Sequence, residues 1–249
     1  MADPDRRRHE IEAQLAALNE RVRRACAAVG RDSADITVVA VTKTFPASDI
    51  RLLADLGVRE VGENRDQEAA TKAAELADLD LHWHFVGQVQ SRKARSVAAY
   101  ADVVHSVDRA RVVTALDRAA GDAGRTLRAL VQVALQPTAE PDVARGAPGV
   151  ASHAPRGGAE PTEVPALADA IAAAANLELG GVMAVAPLAS DPAPAFARLA
   201  AIASELRRSH PLATDISAGM SGDLEAAIAA GATHLRVGSA LLGRRSALG

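Results

Sequence analysis

The sequence contains few aromatic residues and almost no cysteine. Aromatic residues make up 2% of the 249 residues, and Cys26 is the single cysteine. One cysteine excludes a disulfide bond within the chain and fits a reducing compartment. Because large rings are scarce, the core must be filled by Ala, Val, Leu and Ile. Cys26 lies in a predicted amphipathic helix, where we expect a small buried or half-buried residue.

The sequence also lacks an excess of basic residues and a long apolar run. The formal net charge is −3, whereas proteins that bind the nucleic-acid backbone normally carry an excess of Lys and Arg. The best candidate for a membrane span, residues 179–189, is too short and contains two glycines and a proline. Residues 1–10 are charged and show no signal peptide. We therefore expect a cytoplasmic protein that binds neither nucleic acid nor membranes.

What is present is an ordinary globular balance, with 49% hydrophobic and 24% charged residues. The length suits one domain, residues 1–249. Residues 5–30 are predicted to form an amphipathic N-terminal helix that stops at Gly30.

After this helix, short apolar runs alternate with Ala-rich helical stretches. Strands are predicted at residues 36–43, 60–62, 83–87, 103–106, 127–135, 177–185, 214–217 and 234–238. Helices are predicted to begin near residues 47, 64, 92, 110, 164, 194, 222 and 239. Eight such repeats predict an α/β protein with a parallel sheet closed into a (β/α)₈ TIM barrel. A doubly wound open sheet is the alternative, but it would not need eight units.

Residues 137–161 interrupt this rhythm with five prolines and four glycines. The segment is too long for an ordinary loop between a strand and a helix. It would be either a lid over a site or a flexible insertion, and its low-complexity composition favours the insertion.

In such a barrel, functional groups collect at the carboxyl ends of the strands. Lys43 ends the first predicted strand and shares a face with Val39 and Val41. If that face is the lumen, an apolar wall favours the neutral amine, which is the form that attacks an aldehyde to give a Schiff base. Taken alone, a surface lysine at a strand end is the simpler interpretation.

Arg236 alternates with Leu235 and Val237 in the eighth predicted strand. The apolar pair should face the helices, so we expect Arg236 to point inward, where a buried arginine needs an acceptor. A pyridine nitrogen would serve, and so would a structural carboxylate, which is the simpler interpretation without further context.

Two predicted turns suit a phosphate. Residues 217–222 follow the seventh strand and residues 238–239 follow the eighth, and both offer hydroxyls and backbone N–H groups at the start of a helix. Barrels often bind phosphate between these two turns. Ser221 could instead merely cap its helix, but the two turns together favour a phosphate.

Five other polar or sulfur-bearing positions lie on or near the predicted strands. His82 and His84 share a face of the third strand and, with His105, could bind a metal, although histidines bonded to their neighbours in the lumen are the simpler interpretation. Asn64 either caps the helix after the second strand or reaches into the site. Met183, on the sixth strand, is most simply core packing.

Six stretches of the chain, taken together and in order, carry a resemblance. They are VAVTKTFPASDI (39–50), REVGENRDQEA (59–69), LHWHFVGQVQSRK (81–93), HSVDR (105–109), LGGVMAVAP (179–187) and SAGMSGDLEAAIAAGATHLRVGSALLGRR (217–245). With these stretches the chain resembles the pyridoxal phosphate homeostasis protein family, over nearly its whole length after the N-terminal helix.

The resemblance implies a fold like the N-terminal domain of alanine racemase, a fold type III protein that binds pyridoxal 5′-phosphate (PLP). It implies that PLP is the cofactor and forms a Schiff base with Lys43, and that Arg236 faces its pyridine nitrogen. The positions that match the family's phosphate site are Ser217, Ser221, Gly238 and Ser239. Those that would line the rest of the cofactor are Asn64, His84 and Met183.

The sequence departs from the family pattern at several positions. Arg65 replaces the aromatic residue that usually follows the GEN motif, Gln88 stands where many members have His, and Ala218 where many have Met. The segment after the fifth strand lacks the usual Ser/Thr-Gly-Glu run, so nothing about that loop is carried over.

The resemblance favours a carrier over an enzyme. An arginine beside the pyridine nitrogen keeps that nitrogen unprotonated and makes the ring a weaker electron sink. Racemisation also needs an acid–base group on each face of the substrate carbon, and alanine racemases take the second, a tyrosine, from another domain of a partner chain. Here the sequence ends at Gly249 without such a domain, and Tyr100, the one tyrosine, is predicted at a helix end away from the mouth.

We therefore expect a monomeric protein that buffers or delivers PLP, with apo PLP-dependent enzymes as candidate recipients. The alternatives are a PLP-dependent amino-acid racemase or related PLP enzyme and, from another class, a metal-dependent barrel hydrolase that uses His82 and His84.

Overall fold

The computed structural model describes residues 4–135, 157–187 and 190–243. Eight parallel strands close into a barrel in the order of the sequence, and the last strand pairs with the first. The strands are β1 (Thr37–Val41), β2 (Glu60–Glu63), β3 (His82–Phe85), β4 (Val103–Val107), β5 (Leu127–Gln132), β6 (Leu177–Met183), β7 (Asp215–Ser217) and β8 (His234–Val237). The predicted barrel is confirmed.

The helices lie outside the strands. They are α1 (Pro4–Ala28), α2 (Ala47–Asp55), α3 (Asp66–Glu75), α4 (Ala94–Tyr100), α5 (Ala110–Asp122), α6 (Val164–Ala172), α7 (Ala193–Ser209), α8 (Leu224–Ala229) and α9 (Ser239–Leu242). Within the described ranges, none of them is long and apolar enough to cross a membrane.

The predicted N-terminal helix is confirmed as α1. Its buried residues, Ile11, Leu18, Val22 and Cys26, recur on one face, and the helix packs against α8 and α9. Gly30 follows it with φ +67°, a left-handed conformation that favours glycine. The helix therefore covers the seam where the last strand–helix units meet the first.

The alternation along β8 separates the two sides of the barrel wall. Leu235 and Val237 are fully buried in the main apolar core between strands and helices. Arg236, between them, points the other way and is also buried, with 5% of its surface exposed. The inward orientation predicted for Arg236 is thus confirmed, and the lumen contains polar groups.

Several strands end earlier than the apolar runs predicted. β1 stops at Val41, β5 at Gln132 and β6 at Met183, two or three residues before the predicted ends. The chain leaves the sheet there to form the turns at the carboxyl rim. Residues 137–156 of the predicted insertion lie outside the described residues. At its far end, Ala159 forms a parallel bridge with Val133. That the chain is one domain stays a prediction.

Candidate functional site

Lys43 lies at the carboxyl end of β1, in a turn and not on the strand. β1 ends at Val41. The Phe45 amide then donates to the Thr42 carbonyl at 3.0 Å and closes a turn with Lys43 and Thr44 at its corners. The Lys43 side chain is exposed. The expectation that an apolar wall encloses this amine is therefore wrong, because the strand ends two residues before it.

The turns after β7 and β8 lie side by side on this same rim. The Ser221 hydroxyl accepts a hydrogen bond from the Ala240 amide at 3.1 Å, which joins the two turns. A Cβ at Gly238 would lie 3.2 Å from the Val41 carbonyl oxygen, so the second turn is pressed against the end of β1. Ser239 begins α9, and its backbone N–H therefore has no partner within that helix.

The alternative that Ser221 merely caps its helix is wrong. α8 begins at Leu224 and has Asp223 at the N-cap position, while the Ser221 hydroxyl contacts the neighbouring turn. Gly219 has φ +88°, and a Cβ there would lie 2.6 Å from the Cβ of Ala227. This turn therefore requires glycine both for its backbone conformation and for its packing against α8.

Arg236 carries a buried guanidinium whose described contacts are all with uncharged groups. One nitrogen, Nη1, donates to the Ser217 hydroxyl at 2.6 Å, and Nη2 donates to the Ala184 carbonyl at 2.7 Å. Burial lowers the pKa of Arg236 to about 10. Among the described residues no carboxylate is hydrogen-bonded to this guanidinium, and the negative charge of Asp223 raises its pKa without such a bond.

Ser217 is fully buried below the rim and belongs to a chain of hydrogen bonds through the lumen. His105 Nδ1 lies 2.8 Å from the Ser217 hydroxyl, and His105 Nε2 lies 2.8 Å from His84 Nδ1. His84 Nε2 then lies 2.6 Å from Glu60 Oε2. The structure thus does not place the Ser217 hydroxyl with the phosphate turns, because Arg236 and His105 both engage it.

The two histidines of β3 both contact Glu60, but at different depths. His82 is exposed at the amino end of the strand, with Nδ1 3.0 Å from Glu60 Oε1, whereas His84 is buried. Burial, more than the nearby charges, lowers the pKa of His105 well below its ordinary value. Among the described residues, no group of three or more His, Cys, Asp or Glu is arranged to hold a metal.

Asn64 follows β2 and does not cap α3. The N-cap of that helix is Arg65, without a capping side-chain bond. Asn64 lines a cavity of about 870 Å³ that also contacts Glu68 and Lys72, and its Oδ1 is buried without a hydrogen-bond partner among the described residues. A Cβ at Gly87 would lie 2.0 Å from the Asn64 carbonyl oxygen, so close packing fixes this backbone.

The two remaining side chains of interest lie at different levels of the barrel. Met183, the last residue of β6, is buried and pairs in register with Ser217. Tyr100 ends α4 and packs edge-on against Trp83, with ring centroids 6.4 Å apart. Trp83 belongs to an apolar cluster between strands and helices, so Tyr100 lies in the outer layer, as its position at a helix end suggested.

Comparison with known proteins identifies the family. The profile of the family described as "Alanine racemase, N-terminal domain" matches residues 13–246. The chain is 43% identical to a Mycobacterium tuberculosis protein named pyridoxal phosphate homeostasis protein, over 98% of this chain and 96% of that protein. It is 40% identical to the Pseudomonas aeruginosa protein of the same name, over 94% and 96%. This chain belongs to the pyridoxal phosphate homeostasis protein family.

A solved structure extends the family comparison to the fold. PipY of Synechococcus elongatus PCC7942, whose structure has PLP bound, is 34% identical to this chain. The match has a TM-score of 0.78 and covers 94% of this chain and 100% of PipY. The fold expected from the family resemblance is therefore confirmed.

Three observations indicate that the residues at this rim suit a group with the size and chemistry of PLP. Arg236 has no carboxylate among its described contacts, which suits a guanidinium that faces a ring nitrogen. The turns at Ser221 and at Gly238–Ser239 lie side by side, and Ser239 begins a helix whose first N–H groups suit a phosphate. Asn64 offers an amide oxygen that is unpaired among the described residues.

The sequence patterns missed the residues that support Lys43. Glu63, Glu68 and Lys72 contact the turn on both sides of this lysine. Two signals could have revealed them: Glu63 is the acidic residue of the GEN motif, and Glu68 and Lys72 are spaced i, i+4, as ion pairs on a helix are.

Proposed function

We propose that this protein binds PLP through a Schiff base on Lys43 and serves intracellular PLP homeostasis, by buffering or delivering the cofactor. The observation that carries the proposal is the shared rim. Lys43 follows β1 without an ion pair among the described residues, the turn after β8 lies against the end of that strand, and the turn after β7 is hydrogen-bonded to the helix start after β8. The other residues proposed to contact or support the cofactor are Asn64, His84, Met183, Ser217, Ser221, Arg236, Gly238 and Ser239.

The choice of lysine is supported by elimination. The sequence has three lysines, Lys43, Lys72 and Lys93. Lys72 pairs with Glu63 and Glu68, and Lys93 lies 3.1 Å from an Asp66 carboxylate oxygen. Lys43 has no ion pair within the described ranges. An amine that is held by carboxylates is not free to reach an aldehyde, so Lys43 is the one suited to the linkage.

Within this proposal the phosphate lies between the turns at Ser221 and at Gly238–Ser239, where helix starts provide N–H donors. Ser217 acts one step away, because its hydroxyl holds Arg236. When bound, PLP supplies an aldehyde that amines attack and a ring that withdraws electrons. Arg236 can only donate to the ring nitrogen, so the electron-withdrawing form is not stabilised. This supports a carrier without strong catalytic activity.

Borohydride trapping tests the linkage. The wild-type protein is incubated with PLP, reduced, digested and mapped by mass spectrometry. We expect the pyridoxyl group on the Lys43 peptide, a yellow wild type, and a colourless Lys43→Ala variant. Lys93→Ala is the matched control and should stay yellow. Label on Lys72 or Lys93, or an unlabelled wild type, would overturn the proposal.

A racemase assay separates the carrier from an enzyme. The purified, PLP-loaded protein is incubated with L-alanine, and the D-isomer is measured over time. We expect D-alanine to form at about the rate that free PLP alone gives. Robust racemisation would contradict the carrier function.

We further propose that the protein acts as a cytoplasmic monomer that passes PLP to apo PLP-dependent enzymes. The single, buried, free thiol of Cys26 supports a reducing compartment. Light scattering during gel filtration tests the monomer. Transfer is tested by mixing the loaded protein with an apo aminotransferase. Recovery of its activity faster than with the same concentration of free PLP supports delivery, and slower recovery supports buffering alone.

A further inference from the structure

The backbone before Lys43 is fixed by two buried side chains. The Thr42 hydroxyl donates to Glu63 Oε1 at 2.7 Å, and the Thr42 carbonyl accepts from Lys72 Nζ at 2.9 Å. Glu63 is fully buried and the Lys72 side chain is 8% exposed. Hydrogen bonds between groups enclosed in this way are electrostatically stronger than those at the surface.

Lys72 also fixes the backbone after Lys43, through the side chain of Glu68. The Thr44 amide donates to Glu68 Oε1 at 2.6 Å, and Lys72 Nζ donates to that oxygen at 2.7 Å. Lys72 Nζ also donates to Glu63 Oε1 at 2.5 Å. The three donors of one ammonium group are thus engaged by the three contacts that surround the Lys43 turn.

The turn needs such support because its backbone is strained. Thr44 has φ +69° and, among the described residues, it is the one non-glycine residue in the left-handed region. That conformation is costly for a β-branched side chain, and it persists where the surrounding contacts over-determine it. The amide of this strained residue is bonded to Glu68.

We propose that Lys72, together with Glu63 and Glu68 (the Lys72 cluster), is a positioning residue for PLP attachment. The cluster holds the Lys43 turn in the one conformation that presents the amine toward the phosphate turns. This inference rests on the proposed function of Lys43. It assigns a second lysine a role as a hydrogen-bond donor to the backbone and carboxylates around the turn, whereas Lys43 is the nucleophile.

The test compares rates of attachment in folded proteins. Lys72→Met removes all three donors at similar length, and Lys93→Met is the matched control because it also removes one lysine and one ion pair. We expect borohydride-trapped labelling of Lys43 by PLP to slow about 10- to 100-fold in Lys72→Met, which is the cost of small misplacements of a reacting group, and to be unchanged in Lys93→Met. The affinity for inorganic phosphate, measured by calorimetry, should be unchanged in both variants.

A second pair of variants covers the case that Lys72→Met does not fold, as judged by circular dichroism. Glu68 is partly exposed, so Glu68→Leu should fold while it removes the acceptor for Thr44, and Glu68→Gln keeps an acceptor oxygen. We expect slow labelling in Glu68→Leu and recovery in Glu68→Gln.

The outcomes separate the inference from the proposed function. If PLP does not label Lys43 in the wild type, the proposed function is itself overturned. The inference alone is overturned if PLP labels the wild type and labels Lys72→Met at the same rate. If only Glu68→Leu folds, the same rate in that variant overturns it. A parallel loss of phosphate affinity also overturns it, since the cluster would then have a general structural role.

Discussion

Arg236 keeps a buried positive charge without a carboxylate among its described contacts, so its removal should separate stability from ligand binding. Its guanidinium is bonded, within the described residues, to the Ser217 hydroxyl and the Ala184 carbonyl. The perturbation is Arg236→Met, which retains much of the side-chain volume and removes the charge.

The magnitude follows from two opposing terms. A pKa lowered from 12.5 to about 10 means that burial disfavours the charged side chain by roughly 3 kcal/mol at neutral pH. Against this, hydrogen bonds from a charged donor contribute about 1.5–3 kcal/mol each, and two are lost. The free energy of unfolding of cofactor-free Arg236→Met should therefore stay within about 3 kcal/mol of the wild type. PLP binding should weaken about 10- to 100-fold, since one charge-assisted hydrogen bond to the ring nitrogen is lost.

Urea unfolding of the cofactor-free protein and titration with PLP, followed by absorbance, measure the two quantities. Arg128→Met is the matched control, because Arg128 Nε lies 2.6 Å from a carboxylate oxygen of Asp215, which is buried. Leaving that carboxylate unpaired should cost roughly 3 kcal/mol of stability with little effect on PLP affinity. If Arg236→Met lost more than about 4 kcal/mol of stability and bound PLP normally, the reasoning would be refuted.

Two further predictions concern packing and pH. Gly87→Ala should destabilise the protein by about 3 kcal/mol or more, because the new Cβ meets the Asn64 backbone at 2.0 Å, whereas Gly222→Ala, with no atom within 4 Å of its Cβ, should be neutral; urea unfolding of both variants checks this. Burial lowers the pKa of His105 and, more than the charges nearby, that of His234. Below about pH 6.5 these two histidines therefore bind protons in the unfolded chain but not in the folded chain. The free energy of unfolding should fall as the pH drops below that value. The slope between pH values of about 7.5 and 5.5 should be smaller in His105→Gln, and an unchanged slope would contradict the assignment.

The barrel can be predicted from the sequence because each strand–helix unit carries its own local signal. Alternation in β8 correctly predicts that Arg236 points into the lumen, since Leu235 and Val237 can only face the helices. The same argument fails for Lys43. Periodicity does not show where a strand stops, and β1 ends at Val41, two residues before Lys43. Pro46 is the signal that marks the turn, because the residue before a proline is extended and often ends a regular element.

The partners inside the lumen could not have been predicted from any local pattern. His105 and Ser217 are 112 residues apart, and closure of the barrel alone brings them together. The sequence suggested Ser217 as a phosphate ligand because it precedes a glycine-rich turn. The sequence does not show that Arg236, on the neighbouring strand, donates a hydrogen bond to this hydroxyl.

The ends of the lumen chain fix the direction of its hydrogen bonds. Burial opposes ionisation of Glu60, but the hydrogen bonds from His84 and His82 outweigh it and lower the pKa of that carboxyl. Glu60 is therefore ionised and can only accept, whereas Arg236 can only donate. The direction is thus fixed at the two ends of the chain, where Arg236 donates to Ser217 and His84 donates to Glu60.

The hydrogen bonds of Arg236 help to decide whether the protein is a PLP carrier or a PLP enzyme. Arg236 can only donate hydrogen bonds, to the Ser217 hydroxyl and the Ala184 carbonyl, so no neighbour in the lumen chain turns it into a proton donor for a ring nitrogen above it. Burial lowers the pKa of Arg236, but the negative charge of Asp223 acts in the opposite direction and stabilises the guanidinium, which keeps Arg236 a donor. A ring held by such a donor reacts with amines at its aldehyde but gains little electron-withdrawing power. The structure of the lumen, and not only that of the rim, therefore favours the holding of PLP over its use in catalysis.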